Sequence, residues 1–231
     1  MSCVAIIPAR GGSKRIPRKN IKAFHGKPLI AYSIETALAS GLFDDVIVST
    51  DDEEIAAIAK EYGASVPFIR PKELSDDFTS SGAVVKHAVE FLRKQKTPLE
   101  YVCTLYATAP LLQVKYLQEG FERLRKSDAK YSFSATSMPF PIQRTFKIRE
   151  DGRCEMFQPE NFLKRSQDLE VAYQDAGQFY FNKLAKESNE IIFGKDSIPI
   201  ILPRHLVQDI DDEEDWIRAE LLYKVLMQSD V

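Results

Sequence analysis

The sequence has little cysteine and no long apolar run. Its 231 residues include three cysteines, Cys3, Cys103 and Cys154, an odd number with no C-x-x-C pair. This pattern argues against a disulfide framework and predicts reduced thiols. No stretch approaches the roughly twenty apolar residues of a membrane span, and Pro8 and Arg10 interrupt the first apolar segment, so no signal peptide is expected. We therefore expect a cytoplasmic protein with no membrane partner.

The chain also lacks an excess of positive charge. Its 31 Lys and Arg residues are outnumbered by 34 Asp and Glu residues, which gives a net charge of −3, so a nucleic-acid partner is not expected. Seven cations nevertheless precede the first acidic residue, and they are Arg10, Lys14, Arg15, Arg18, Lys19, Lys22 and Lys27. Such a local basic segment on an acidic body indicates a site for a small anion.

Apolar strand patterns alternate with helix patterns in the first half of the chain. VAIIP, DVIVST and YVCTLYATAP read as buried strands, and helical segments with suitable first turns and terminal glycines lie between and after them. This alternation is typical of parallel βαβ units with right-handed crossovers. The sequence therefore predicts an α/β fold with a mostly parallel, doubly wound sheet flanked by helices.

The pattern changes after residue 137. We expect residues 1–137 and 173–231 to form one α/β domain and residues 138–172 to form an insertion, with a hairpin around Asp151-Gly152 in FKIREDGRCEMF. Its aromatic residues include Phe140, Phe146, Phe157 and Phe162. Two interpretations remain open: another subunit covers this insertion, or the hairpin packs on its own domain.

The first strand leads into a loop suited to phosphate. In doubly wound sheets, ligands bind beyond the carboxyl ends of the strands. Gly11 and Gly12 allow unusual backbone angles, so their amides are free to face a phosphate, and Arg10 and Lys14 supply charge. Neither standard phosphate motif is present. The alternative is a flexible solvated turn, but the density of cations favours anion binding.

Two acids near the end of the chain form a candidate metal site. In extended backbone, Asp209 and Asp211 point the same way while Ile210 faces the opposite side. Mg²⁺ commonly takes one or two carboxylates together with phosphate oxygens. The alternative is that the acids from Asp211 onward only cap the last helix. Capping leaves Asp209 unexplained, so we favour metal binding.

Other polar groups follow the middle strands. Arg70, Ser80 and Ser81 are candidates for holding a base or ribose, although Ser80 also suits a helix N-cap. Asp51 and Asp52 follow the second strand, and there capping is the favoured role. The three histidines stand at no metal or catalytic spacing and receive no chemical role.

The motifs in combination resemble a known family. IIPARGGSKRIPRKNI, GKPLIAYSIE, VIVSTDDEEIA, IRPKELSDDFTSS and the late DIDDEED are similar to the cytidylyltransferases that make CMP-activated nonulosonic acids. The similarity covers nearly the whole chain and is weakest over residues 138–172. Within the family, DAGQFYF and the TAP stretch resemble most the branch whose sugar is pseudaminic acid.

The resemblance implies a nucleotidyltransferase-type fold and roles for particular residues. It places the substrate CTP at Arg10, Gly11, Gly12, Ser13, Lys14, Asn20, Arg70, Ser80 and Ser81, with Arg10 and Lys14 as catalytic residues. It places the sugar at Tyr106, Thr108, Gln143, Asp175 and Gln178. It implies Mg²⁺ as cofactor at Asp209 and Asp211, and a homodimer in which the inserted arm reaches over the neighbouring subunit's sugar pocket.

The implied reaction is transfer of CMP from CTP to the anomeric hydroxyl of a nine-carbon 2-keto sugar acid, with release of pyrophosphate. The product is the activated sugar for surface glycan or glycoprotein biosynthesis. Tyr106 replaces a glutamine that touches the sugar in sialic acid enzymes, so pseudaminic acid is the expected sugar. The alternatives are N-acetylneuraminic or legionaminic acid. An alternative from a different class is a non-catalytic nucleotide- or RNA-binding module. It explains the cations from Arg10 to Lys27, here called the basic loop, but gives no role to Asp209 and Asp211.

Overall fold

The structure is a computed structural model that describes residues 2–95, 98–187 and 191–229. Its strands and α-helices, in chain order, are β1 (Cys3–Pro8), β2 (Ala23–Phe24), β3 (Lys27–Pro28), α1 (Leu29–Ser40), β4 (Asp45–Ser49), α2 (Glu53–Glu61), α3 (Ser81–Lys94), β5 (Tyr101–Leu105), α4 (Val114–Arg125), β6 (Tyr131–Ser137), β7 (Phe146–Ile148), β8 (Cys154–Met156), β9 (Tyr173–Lys183), β10 (Ser197–Leu202) and α5 (Glu213–Ser229). No α-helix in these ranges is long and apolar enough to cross a membrane.

A six-stranded sheet forms the centre of the fold, in the order β10-β6-β9-β5-β1-β4. β1 runs parallel to β4 and β5, and β10 runs parallel to β6. β9 lies antiparallel between β5 and β6. The expected α/β fold with a mostly parallel sheet is confirmed, and β9 is the strand that reverses direction.

Helices cover both faces of the sheet because the central strands are apolar on both faces. In β1, Ala5 and Ile7 belong to a core cluster that includes residues of α1, α2 and α4. Val4 and Ile6 face the other way and pack with residues of α3. Successive strand residues point to opposite faces, so an uninterrupted apolar strand produces a sheet buried on both sides.

Local sequence signals set the ends of several helices. The side chain of Asp52 accepts a hydrogen bond from Ile55 N at the start of α2, and Ser80 does the same for Ala83 N at the start of α3. Gly41 ends α1 in the left-handed conformation, with φ 66°. Each residue satisfies backbone groups that the helix end leaves unpaired.

A third apolar cluster joins the two ends of the chain. Ile16 from the basic loop and Phe24 from β2 pack with Ile210 and Trp216, and all four are buried. Phe24 and Trp216 meet edge to face with ring centroids 5.4 Å apart. This cluster fixes the segment before α5 against the loop after β1, and it thereby brings late acidic residues towards early cations.

Residues 138–172 lie between β6 and β9 and include one short hairpin. β7 and β8 pair as an antiparallel hairpin with Gly152 in the turn at φ 79°. Phe140 is 78% exposed and Phe162 is 68% exposed, and Phe146 and Phe157 are also exposed. The described chain therefore does not bury these rings against its own domain.

Candidate active site

A cleft of about 520 Å³ opens at the carboxyl ends of β1 and β5. Its wall combines the loop after β1, the segment after β5, the start of α3 and one late aspartate. Nine residues singled out from the sequence line it: Arg10, Ser13, Lys14, Asn20, Arg70, Ser81, Tyr106, Thr108 and Asp211. Arg18, Lys22 and Lys27 do not line it and instead pair with acids outside the cleft.

An aspartate shortly before α3, Asp77, contacts two cations of the basic loop. Arg10 Nη1 donates to Asp77 Oδ1 at 2.6 Å and to the Asp76 carbonyl at 2.9 Å. Lys14 Nζ donates to the other oxygen of Asp77. These two cations, first Lys14 and then Arg10, lower the pKa of Asp77 from its usual value. One carboxylate thus pairs with both cations that are expected to bind phosphate, and a net positive charge remains on the three groups together.

The glycines of the loop behave differently from the sequence expectation. Gly11 N donates to Asp51 Oδ1 at 3.0 Å, so this amide is directed at a side chain behind the cleft. A Cβ at Gly11 would lie 2.5 Å from Asp52 Oδ2, which explains the glycine by close approach. Gly11 and Gly12 are absent from the cleft wall. The cleft therefore presents side-chain cations more than glycine amides.

Arg70 is a buried cation with unused donors. Its residue surface is 4% exposed, and its Nη2 lies 3.5 Å from Asp51 Oδ1 without making a hydrogen bond. Neither Nε nor Nη2 has a hydrogen-bond partner among the described residues. Burial lowers the pKa of Arg70 from its usual value, and the nearby charge of Asp51 opposes this effect. Buried unpaired donors in a cleft wall are costly unless a ligand uses them.

Asp211 faces the cleft from the end of the chain. Its Oδ1 lies 2.7 Å from Arg15 Nη2 and 3.6 Å from Lys19 Nζ. The backbone N of Asp211 donates to Asp215 Oδ2 at 3.0 Å, which fixes the turn before α5. Asp211 therefore meets the basic loop directly, and the segment is held in place by Asp215 rather than by solvent.

Asp209 lies beside this group but not in the wall of the cleft. Its side chain is exposed at the surface, yet protein atoms crowd the carboxylate, and this partial desolvation raises its pKa. The negative charges of Asp211, Asp215 and Asp175 raise the pKa further, while Lys19 lowers it. Ile210 between the two acids is fully buried, so the Asp-x-Asp segment is anchored at its middle residue.

Asp209 and Asp211 suit Mg²⁺, which takes few protein ligands, better than they suit a metal ion whose ligands all come from the protein. In residues 2–95, 98–187 and 191–229, no group of three or more His, Cys, Asp or Glu side chains is arranged for a metal ion. Mg²⁺ usually keeps waters and takes only one or two carboxylates plus substrate phosphates. Concentrated negative charge around Asp209 and Asp211 suits that chemistry, since the charge of Asp211 raises the pKa of Asp209 and a divalent cation would offset that repulsion.

A second cavity of about 690 Å³ adjoins the cleft, and Ser81 and Tyr106 line both. Asp175 and Tyr180 line the second cavity. Tyr180 Oη donates to Asp175 Oδ2 at 2.5 Å, and Gly177 N donates to Asp175 Oδ1 at 3.0 Å. The second cavity is less polar than the cleft and carries a fixed carboxylate, which suits a neutral hydrogen-bond donor on a sugar.

Besides Gly11, Gly12 and Asp209, three more predicted site residues lie in the wall of neither cavity. Gln178 is buried, and its Nε2 donates to the Leu206 carbonyl at 2.5 Å. Gln143 lies in the insertion, where its Nε2 donates to the Glu170 carbonyl at 3.0 Å. Ser80 caps α3 and accepts from Ala83 N at 3.3 Å. Gln178 and Ser80 therefore each use one side-chain atom in an internal hydrogen bond, and their contacts with substrate stay predictions.

Some residues of the site were not found from the sequence. Asp76 and Asp77 line the cleft. The contact of Lys19 with Asp211 was also not predicted, although Lys19 belongs to the seven early cations. Asp77 stands in a polar stretch of the sequence before α3. Its partners are far away in sequence, so no spacing rule reveals the contact.

These features define a class of protein. A mostly parallel α/β sheet with a cationic cleft at the carboxyl ends of its strands is typical of nucleotide-binding α/β proteins. The family model of the cytidylyltransferases matches residues 4–198. The chain therefore belongs to the cytidylyltransferase family, and the resemblance inferred from its motifs is confirmed.

Several curated proteins are similar to this chain over more than nine-tenths of its length. A pseudaminic acid cytidylyltransferase of Campylobacter jejuni subsp. jejuni serotype O:2 is 51% identical over 230 residues, which cover 99% of both chains. A CMP-N,N'-diacetyllegionaminic acid synthase of Legionella pneumophila is 31% identical, with 97% of both chains covered. An N-acylneuraminate cytidylyltransferase of Escherichia coli O18:K1:H7 is 34% identical and covers 92% of this chain and 50% of that one.

Solved structures share the fold at low identity. CMP:2-keto-3-deoxy-manno-octonic acid synthetase complexed with CTP aligns over 100% of both chains, with a TM-score of 0.66 and 15% identity. A 4-diphosphocytidyl-2C-methyl-D-erythritol synthase from Anaerococcus prevotii aligns over 96% of both chains, with a TM-score of 0.60 and 17% identity. These structures support the α/β architecture.

Proposed function

We propose that the protein transfers CMP from CTP to the anomeric hydroxyl of pseudaminic acid and releases pyrophosphate. Identity to the Campylobacter jejuni pseudaminic acid enzyme is 51%, against 34% and 31% for relatives named for neuraminate and legionaminate. The observation that carries the proposal is the cleft itself. One late acid, Asp211, lines this cleft together with cations that lie far from it in sequence: Arg10, Lys14, Arg15, Lys19 and Arg70.

The cationic wall suits a nucleoside triphosphate. Arg70 is buried with two nitrogens free of hydrogen bonds among the described residues, so it is prepared for an acceptor on the nucleotide. Arg10 and Lys14 line the cleft with charged donors that are suited to phosphate oxygens. Asn20 Nδ2 donates to the Arg10 carbonyl at 3.0 Å and so fixes the loop that carries Arg10.

Magnesium is the proposed cofactor, with Asp209 and Asp211 as its protein ligands. A bound divalent ion would supply charge stabilisation for the phosphates and would lower the pKa of a coordinated hydroxyl. The role of the chain is to present two carboxylates at the rim of the cleft. Arg15 and Lys19 currently balance the charge of Asp211, and the arriving phosphates would compete for these cations.

The chemistry needs positioning more than covalent catalysis. The sugar oxygen must lie in line with the α-phosphorus, and pyrophosphate leaves with additional negative charge. Arg10 and Lys14 are the proposed catalytic residues, because fixed cations stabilise charge that develops in the transition state. The shared wall at Tyr106 places the second cavity beside the cleft, so a sugar there approaches the nucleotide directly.

The second cavity is the proposed sugar site. Asp175 is fixed by Tyr180 Oη and by Gly177 N, and it retains lone pairs for a donor on the sugar. A carboxylate here repels the sugar's own carboxylate, which would turn that group towards the cations of the cleft. Tyr106 and Thr108 complete the boundary between the two substrates. N-acetylneuraminic acid and legionaminic acid remain the alternative sugars.

A homodimer is the proposed assembly. The exposed rings of residues 138–172 are apolar surface that a single chain leaves in water. A second copy would cover them, and Gln143 in this segment would then approach the partner's sugar site rather than its own.

Pyrophosphate release tests the proposal when it is assayed over four nucleoside triphosphates and three nonulosonic acids with Mg²⁺ present. We expect turnover with CTP and pseudaminic acid and at least tenfold lower kcat/KM for the other sugars. Preference for N-acetylneuraminate would refute the choice of sugar. Nucleotide affinity without turnover for any sugar would refute the reaction and favour a binding module.

A further inference from the structure

Asp51 lies behind the cleft and contacts two parts of the proposed nucleotide site, Gly11 of the basic loop and Arg70. It does not line the cleft. Its Oδ1 accepts a hydrogen bond from Gly11 N at 3.0 Å, and the same oxygen lies 3.5 Å from Arg70 Nη2. A single carboxylate oxygen therefore joins the loop that carries Arg10 and Lys14 to the buried guanidinium.

The backbone on both sides of Asp51 is fixed. Thr50 is fully buried, its carbonyl accepts from Arg70 N at 2.7 Å, and its hydroxyl accepts from Asp52 N at 3.1 Å. Asp52 caps α2 and forms an ion pair with Arg18. Asp51 thus projects from a segment anchored at each neighbour, which gives its carboxylate a defined direction.

Charge also requires a counter-ion at this point. Arg70 is buried, and the positive charge of Arg10 further lowers its pKa, so the two cations repel each other. The charge of Asp51 acts in the opposite direction. Without Asp51, Arg70 would be a buried cation beside another cation, an arrangement that is strongly unfavourable.

We propose that Asp51 is a positioning residue that sets the placement of the basic loop relative to Arg70. It thereby couples recognition of the triphosphate by Arg10 and Lys14 to recognition of the rest of CTP by Arg70. The inference rests on the proposed function. Through Gly11 it holds the loop, and through Arg70 it holds a buried donor group. Neither contact touches substrate, so Asp51 acts through these two partners.

Two substitutions separate the contacts. Asp51→Asn keeps an oxygen that accepts from Gly11 N but removes the charge opposite Arg70, whereas Asp51→Ala removes both. A charged hydrogen-bonding partner contributes about 1.5–3 kcal/mol, or about tenfold or more in affinity. We expect the Kd for CTP from calorimetry to rise about tenfold in Asp51→Asn and further in Asp51→Ala, with the KM for the sugar changed less than about twofold.

The control is Asp45→Asn, which alters the same residue type at the opposite end of β4. It should leave CTP affinity unchanged. A purely structural role for Asp51 would lower thermal stability and weaken both substrates alike. A change confined to CTP is the signature of positioning, and equal weakening of both substrates would overturn the inference.

A double-mutant cycle with Arg70→Met tests the coupling directly. If the charge of Asp51 acts through Arg70, Asp51→Asn should have no further effect on the KM for CTP in the Arg70→Met background. Additive effects would overturn this arm of the inference. Failure of the proposed reaction is separable, because calorimetry with CTP measures Asp51 even when no sugar is turned over.

Discussion

Arg10 Nη1 lies 2.6 Å from Asp77 Oδ1. Lys14 contacts the other oxygen of the same carboxylate. Asp77 thus uses donors of the two cations that we propose as phosphate ligands. Under that proposal, Asp77 and the triphosphate compete for the same donors.

Asp77→Asn should therefore strengthen nucleotide binding. With the competing charge removed, we expect the KM for CTP to fall about threefold and inhibition by pyrophosphate to strengthen by a similar factor. Steady-state kinetics at low and high salt measure both. Glu73→Gln, an exposed acid on the same segment, is the control and should change neither. A higher KM in Asp77→Asn would show that Asp77 orients the cations instead.

Asp211→Asn should lower turnover about a hundredfold while the fold remains intact. Loss of one charged group from such a site costs roughly 3 kcal/mol of barrier, about a hundredfold in rate. Pyrophosphate release at saturating Mg²⁺ and circular dichroism measure activity and folding. Glu214→Gln, in the first turn of α5, is the control. Near-normal activity in folded Asp211→Asn would remove Asp211 from the proposed metal site.

Gly120→Ala should destabilise the fold although alanine is the better helix former. An added Cβ would lie 2.8 Å from Phe179 Cε2 and 3.1 Å from Ser132 Oγ, where α4 packs on the sheet. Overpacking of this kind costs about 1–3 kcal/mol of unfolding free energy. Gly82→Ala in α3 meets nothing closer than 3.8 Å and should stabilise by up to about 1 kcal/mol. Denaturant unfolding compares the two; an equal effect would contradict the packing argument.

Substitution of the exposed rings should weaken the proposed homodimer. Phe140→Ser and Phe162→Ser each remove a large apolar side chain, and an interface anchor of this kind contributes about 2 kcal/mol, or about thirtyfold in Kd. Sedimentation velocity over a range of concentrations measures the shift towards monomer. Phe78→Ser is the control, because Phe78 is 94% exposed but lies outside residues 138–172. Dimers that persist unchanged in both variants would assign the interface to another surface.

Much of the α/β framework could be predicted from local patterns. The uninterrupted apolar run of β1 predicted a strand buried on both faces, and Gly41 and the acids before α2 predicted helix ends that the structure shows. The reversed direction of β9 was not predicted. Its central segment, GQFYF, is largely apolar like a parallel strand, and the pattern of burial does not encode strand direction.

The candidate site was predictable only in its residue types. Charges gathered in the basic loop and in Asp209-x-Asp211 indicated an anion and a metal, since such groups carry their chemistry wherever they lie. Ser80 and Gln178 had suitable chemistry too, but caps and buried hydrogen bonds use them. A residue's availability depends on its neighbours in space.

The sequence by itself determined the family, the class of the sheet and the kinds of charge available for catalysis, because motifs, periodicity and composition are local properties. Only the tertiary structure decided that Asp77 pairs with Arg10 and Lys14, that Asp51 connects Gly11 to Arg70, and that Asp211 meets Arg15. These contacts join residues far apart in the chain, and packing of Ile16 and Phe24 against Ile210 and Trp216 brings the last of them together.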